Sequence, residues 1–439
     1  MTNAELTQFK TRYVKNLEES VIPFWEKYSI DREAGGYLTC LERDGRLFDA
    51  DKFTWLGARE LWMWSKLYTS YRREPRWVDL AQTGADFLKR YGRDPRGDWY
   101  FALDRQGRPL VEAYNIFSDC FAAVAFAEYH RATGDRESLE IALATYRRIQ
   151  ERKSNPKGRF TKQIGSTRSL KAMALPMIQI WMAEEMGDLL EPGLREAVVR
   201  ENIDQVTSLH IDRERRAVFE RVAADGSHPF CMEGRLLTPG HALEVLWFLL
   251  RTVSRRSRSA GLAAGKAGAA NTTGAAEGGA AAADDAALIE LLTEAVLFTA
   301  ERGWDHEQGG FFYYMDYEGL PPDKLEWDMK LWWVHAEALC AFLISYQLTG
   351  RSEFLEWFRR TDDYVFSHFD DPEYGEWFGY LHRGGDAALT LKGGKWKGFF
   401  HVPRALLTCI GVFDELAAAA GGPPPEHSQH DGAKERHHG

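Results

Sequence analysis

The chain has 439 residues, 44% apolar and 13% aromatic with 15 Trp, and a formal net charge of -10 at pH 7. That acidic balance offers no basic field for phosphates, which excludes nucleic acid and anionic membrane surfaces as partners, and the ring content points to a pocket for a small neutral ligand. No stretch approaches 18 uninterrupted apolar residues, and the amphipathic start "MTNAELTQFKTRYVKNLEESV" has no apolar leader core, so the expectation is a cytoplasmic chain without a membrane span. Cys40, Cys120, Cys231, Cys340 and Cys409 are odd in number and widely separated, which suggests neither a disulfide framework nor a zinc site.

Along the chain, a small or glycine residue followed by aromatics and a polar turn recurs six times. The copies are "EAGGYLTCLERDG" near Gly36, "RGDWYFALDRQG" near Gly97, a weak "KGRFTKQ" near Gly158, "RAVFERVAADG" near Ala217, "EQGGFFYYMDYEG" near Gly310 and "EYGEWFGYLHRGG" near Gly375. Their spacings are 61, 61, 59, 93 and 65 residues. The outlier contains the Ala/Gly tract at about 255–285, which lacks apolar content for a core and is expected to be a disordered insertion.

Each interval holds two helical patterns. The predicted helices are, in chain order, 3–29, 51–73, 76–92, 114–133, 135–153, 168–187, 191–210, 239–254, 286–303, 324–349, 352–369 and 398–419. The odd members are amphipathic and suit an outer ring, while the even members, such as "SDCFAAVAFAEYH", are apolar around their circumference and suit an inner ring. Six such pairs predict an all-α fold, an (α/α)6 barrel with short β-hairpins at its mouth, spanning 1–420 as one domain with 421–439 as a disordered tail. Every hairpin links an outer helix to the next inner one, so all six hairpins and all six inner-helix N-termini share one end, the ligand mouth.

The starts of the inner helices bring candidates to that mouth: Trp55 and Arg59; Tyr114, Asn115 and Ser118; Lys171; His241 and Glu244; Lys330, Trp333 and Glu337; His401 and Arg404. Thr238 reads as the N-cap and Pro239 as the first residue of the helix carrying His241, with Glu244 on the same face to fix its tautomer. A lone helix histidine is more often structural than catalytic, and Tyr114, Trp55, Trp333 and Trp396 read first as lining or core. His335 and His382 are set aside on placement. What lifts His241 and His401 is their joint position on one rim, where a helix N-terminus favours the neutral ring of a general base.

Two such bases across a pocket suit removal of a proton next to a carbonyl on one face and its return on the other, with Arg59 to stabilise the enediolate between. Glycoside hydrolysis would instead use two carboxylates, for which Glu244 and Glu337 are available. No metal set is expected, since His241 and Glu244 lack an H-E-x-x-H context and a third ligand, and no phosphate-binding glycine loop is present.

The strings "KFTWLGARELWMWSKLY", "TPGHALEVLWFLL", "LEWDMKLWWVHAEALCAFL" and "DPEYGEWFGYLHRGGDAALTLKGGKWKGFFHVPRALLTC" resemble the N-acylglucosamine 2-epimerases, also called renin-binding proteins, over about residues 5–418. The resemblance implies an (α/α)6 barrel, commonly a homodimer, that interconverts N-acetyl-D-glucosamine and N-acetyl-D-mannosamine. It puts the catalytic histidines on His241 and His401, the essential arginine on Arg59 and the essential glutamate on Glu337. Glu244, Trp396, Lys330, Tyr114, Asn115, Arg404 and Trp55 are the expected sugar-binding set. No cofactor is required, while ATP or another nucleotide is implied as an activator that is not consumed. The alternatives are a cellobiose 2-epimerase, an aldose-ketose isomerase, a glycoside hydrolase, or a renin-binding type of protein interaction.

Overall fold

A computed structural model of the chain describes residues 1–162, 164–266 and 272–421. Outer helices run Asn3–Lys15 (continuing to Tyr28), Pro75–Tyr91, Arg136–Arg152, Pro192–Gln205, Thr272–Gly303 and Ser352–His368. Inner helices run Thr54–Lys66, Phe117–Thr133, Ala174–Glu185, Pro239–Lys266, Trp332–Thr349 and His401–Ala419. Local chemistry sets several ends: Thr2 and Glu5 form a capping box, Asp135 caps the N–H of Ser138, and Gly134 and Gly350 end inner helices in the left-handed conformation. Thr238 is the exception. Pro239 begins its helix as expected, but among the described residues the buried Thr238 hydroxyl caps no backbone N–H of that helix.

The two rings differ as their sequences predict. In Pro75–Tyr91 the buried side is Trp77, Leu80, Ala81, Gly84, Ala85, Phe87 and Leu88, one stripe of a helix whose other face meets water. Gly84 lies so close to Tyr37 that a Cβ there would sit 2.2 Å from its ring, so Gly84→Ala would force the two layers apart. In Trp332–Thr349 every residue from Trp332 to Ser345 is buried. The ring closes where the first inner helix meets the segment before the last: the rings of Trp62 and Phe400 lie 5.4 Å apart and those of Trp64 and Phe399 4.4 Å.

Short strands stitch the mouth together by pairing four of the repeats each to the next. Lys52–Phe53 pairs with Ala102–Leu103, Leu170–Ala172 with Arg221–Ala223, Leu236–Leu237 with Met315–Asp316, and Lys330–Leu331 with Tyr380–Leu381. Among the described residues the weak third copy forms no hairpin. It contributes a short turn, Gly158–Phe160.

The expected disordered insertion needs correction. The fourth inner helix extends to Lys266 and the fifth outer helix begins at Thr272, so both run into the tract. Alanine has the lowest helical cost of any residue, and ion pairs tie the helices in place: Arg256 to Asp285 and Arg255 to Glu184 at 3.0 Å. Residues 267–271 and the tail from 422 lie outside the described residues. No helix among those described is long and apolar enough to cross a membrane.

Candidate active site

A cavity of about 640 Å³ opens at the mouth, and every inner helix contributes to its wall. The inner-ring contributions include Trp55 and Arg59, Ser118 and Phe121, Met177 and Trp181, His241 and Glu244, Trp333, and finally His401 and Arg404. Tyr114, Asn115 and Trp396 line it from the connecting segments. The indole of Trp333 lies against both histidines, 5.2 Å from the ring of His241 and 5.8 Å from that of His401, so the two face one space.

His401 is the first residue of its helix. Its Nδ1 lies 2.7 Å from Glu337 Oε1. The same oxygen accepts from Arg404 Nη2 at 2.6 Å, and that nitrogen also donates to Glu244 Oε1 at 2.5 Å. Glu337 is fully buried behind the histidine, and its Oε2 accepts from the Trp247 indole N–H at 2.8 Å. Burial and then the guanidinium groups of Arg59 and Arg404 hold the His401 ring well below its ordinary pKa. The neutral ring therefore donates from Nδ1 to Glu337 and leaves Nε2 as the base.

His241 is wired differently. Its Nδ1 meets Glu220 Oε2 at 2.9 Å; Glu244, the partner expected from helical spacing, is held by Arg404 instead. Helical spacing put Glu244 on the right face, but the buried guanidinium draws it away. Burial alone would make His241 harder to charge, yet the Glu220 carboxylate reverses this and raises its pKa. The two rings, expected as two neutral bases, are thus set in opposite directions, His401 lowered and His241 raised. Glu220 lies 21 residues from His241 on a separate element, with no spacing signal to link them. Neither histidine's Nε2 forms a hydrogen bond among the described residues, whereas in buried His335 Nδ1 donates to Leu331 O at 2.8 Å and Nε2 accepts from Phe311 N at 2.9 Å. His335 is therefore structural, and His382 is exposed on a hairpin turn.

Arg59 has no ion pair among the described residues. Its guanidinium is boxed by the rings of Phe121 at 4.0 Å, Trp55 at 4.3 Å and Phe400 at 4.5 Å. It is half-buried and lines the cavity, and burial pushes its pKa down to about 9, leaving it a cation at neutral pH. An anion arriving in the cavity supplies its missing counter-charge. Asn115 uses its carbonyl oxygen to cap Phe117 N at 2.9 Å, and Trp396, half exposed at 53%, forms a rim against Trp55 with ring centroids 5.8 Å apart.

Lys330 does not reach the site. It is fully buried, with Nζ 3.0 Å from Asp305 Oδ2 and over the ring of Phe312. The reason is an internal repeat: Lys52 takes the same position on Asp31 at 2.9 Å and Lys392 on Asp371 at 2.8 Å. In each copy an arginine from the following hairpin grips the same carboxylate, Arg105 on Asp31, Arg383 on Asp305 and, closing the circle, Arg43 on Asp371. The sequence carries the signal in "DREAGG", "DHEQGG" and "DPEYGE".

Glu244, Glu337 and His401 bring ligand atoms within 4.8 Å of one another, but the Arg404 guanidinium already supplies the cation that this cluster balances. The same pairing ties up both glutamates, so neither is free to act as the acid or nucleophile of a glycosidase.

Comparison with known proteins places the whole chain in a family. Residues 36–291 and 276–405 match the family model described as N-acylglucosamine 2-epimerase (GlcNAc 2-epimerase). The chain is 37% identical over 422 residues to the N-acylglucosamine 2-epimerase of Bos taurus, covering 94% of this chain and 92% of that protein. It is 36% identical to the enzyme of the same name from Homo sapiens, covering 94% and 91%. Among solved structures, a cellobiose 2-epimerase from Bacillus thermoamylovorans superposes with a TM-score of 0.74 at 21% identity, covering 92% of this chain and 99% of that one; this likeness shows the (α/α)6 barrel.

Proposed function

The chain belongs to the N-acylglucosamine 2-epimerase family, and from that premise we propose that it is an isomerase interconverting N-acetyl-D-glucosamine and N-acetyl-D-mannosamine. The observation that carries the reading is the pair of histidines on one cavity whose Nε2 atoms have no hydrogen bond among the described residues, beside an arginine that makes no ion pair among them.

The sugar binds with its ring opened, so that C1 is an aldehyde and the C2–H is acidic. One histidine takes the C2 proton, and the electrons move onto the C1 oxygen. Because C2 carries nitrogen, the intermediate is an enolate, where the wider reading anticipated an enediolate. Arg59 faces that oxygen with a guanidinium that needs no reorganisation. The second histidine then protonates C2 from the opposite face. Glu337 and Arg404 act through His401 by fixing its tautomer, while Trp55, Tyr114, Asn115 and Trp396 hold the sugar at the rim. The chemistry moves one proton off and one on, so no redox cofactor is needed.

We extend the reading to a cytoplasmic homodimer accelerated by ATP or another nucleotide. Its support is the family resemblance and five cysteines that are all free thiols. Following N-acetylmannosamine, mannose and cellobiose by NMR tests the activity, and adding ATP tests the activation. Conversion of N-acetylmannosamine alone is expected; conversion of mannose or cellobiose in its place would overturn the substrate assignment.

A further inference from the structure

We propose that Glu220 is a positioning residue that keeps His241 as the resting acid of the pair, so that the free enzyme carries a proton on His241 and none on His401. This rests on the two-histidine reading above.

Glu220 is 7% exposed, and its main chain is pinned on both sides, N–H to Leu236 O at 3.1 Å and C=O to Met173 N at 3.0 Å. Among the described residues its carboxylate has one ionic partner, His241. Its chain neighbour Arg221 is paired with Glu233, and the nearby Tyr313 and Tyr314 are held neutral by burial. A buried carboxylate needs a cation, and His241 is the group that supplies it. Glu244 on the same helix and Glu337 across the cavity add to the pull.

His401 faces the opposite balance. Glu337 and Glu244 share Arg404, and Arg59 is the second cation on the same wall. Two carboxylates and two guanidiniums thus balance without a charge on the ring, and burial with both guanidiniums outweighs the opposing pull of Glu244. One turnover therefore moves a proton from the sugar C2 to His401 Nε2 and another from His241 Nε2 to C2. The net charge of the pair is unchanged, but the proton has changed sides. Exchange with water at the open mouth restores the starting state, while the reverse reaction begins from the exchanged one.

The test is NMR of histidine-labelled protein without sugar, with the two rings assigned through His241→Asn and His401→Asn. At pH 7 the wild-type His241 should be imidazolium and His401 neutral. Glu220→Gln should render His241 neutral at that pH and move the alkaline limb of kcat/KM down by about one pH unit or more, and Glu220→Asp should restore part of both. A neutral His241 in the wild type, or a Glu220→Gln protein with unchanged His241 charge, would overturn the inference. The wild-type spectrum decides the matter even where the variants fold poorly. An inactive wild type with the expected spectrum would instead sink the epimerase reading alone.

Discussion

Arg59 and Lys330 are both cations near the starts of inner helices, and the structure gives them opposite employment. Lys330 is enclosed with Asp305, which Arg383 also grips, whereas Arg59 has three aromatic rings and, among the described residues, no ion pair. A buried charge with its partner in place is architecture; one left without a partner at a cavity marks where a charged species is meant to arrive.

Substitutions can break that contrast. Lys330→Met should lower stability by about 3 to 5 kcal/mol, because Asp305 is left buried with only the half-exposed Arg383, while kcat at 25 °C stays within about twofold; denaturant melts and steady-state kinetics check the pair of outcomes. Arg59→Met should do the reverse, cutting kcat/KM by about 10² to 10³ without lowering the melting temperature. Trp55→Ala, which opens the box around the guanidinium, should cost about 1 to 2 kcal/mol of transition-state stabilisation, read from kcat/KM. The smallest effect is expected for Arg383→Ala, a slightly lower melting temperature with unchanged kinetics.

The pH dependence follows from the two rings. His401, depressed, stays a base below the ordinary histidine range, and His241, raised, stays an acid above it. The kcat/KM profile should therefore show a plateau through neutral pH, its acid limb set by protonation of His401 and its alkaline limb by deprotonation of His241. A single sharp optimum near 6.5 would contradict the assignment.

Much of this was legible in the sequence because a repeat of about 60 residues carries its own punctuation, so helix order, ring membership and the location of the mouth followed. The partners of the site residues were harder to read. Glu244 sits one turn from His241, which made it the natural orienter, yet a guanidinium 160 residues away holds it. Glu220 reaches His241 because its main-chain N–H bonds to Leu236 O, just ahead of that helix, a tertiary link that no sequence spacing marks. Lys330 was misplaced for a different reason: the D-x-E-x-G copies that explain it were visible, but its own lysine follows Asp305 by 25 residues, where Lys52 follows Asp31 by 21. The Ala/Gly tract misled because low apolar content says nothing against helix where alanine dominates.

The most direct measurement is conversion of N-acetylmannosamine in D2O, alongside His241→Asn. The wild type should place one deuterium at C2 of the N-acetylglucosamine formed. His241→Asn, retaining only the His401 base, should exchange the C2 hydrogen of one epimer with solvent while producing none of the other. Product that keeps its C2 proton, or a variant that still epimerises at the wild-type rate, would contradict the two-histidine mechanism.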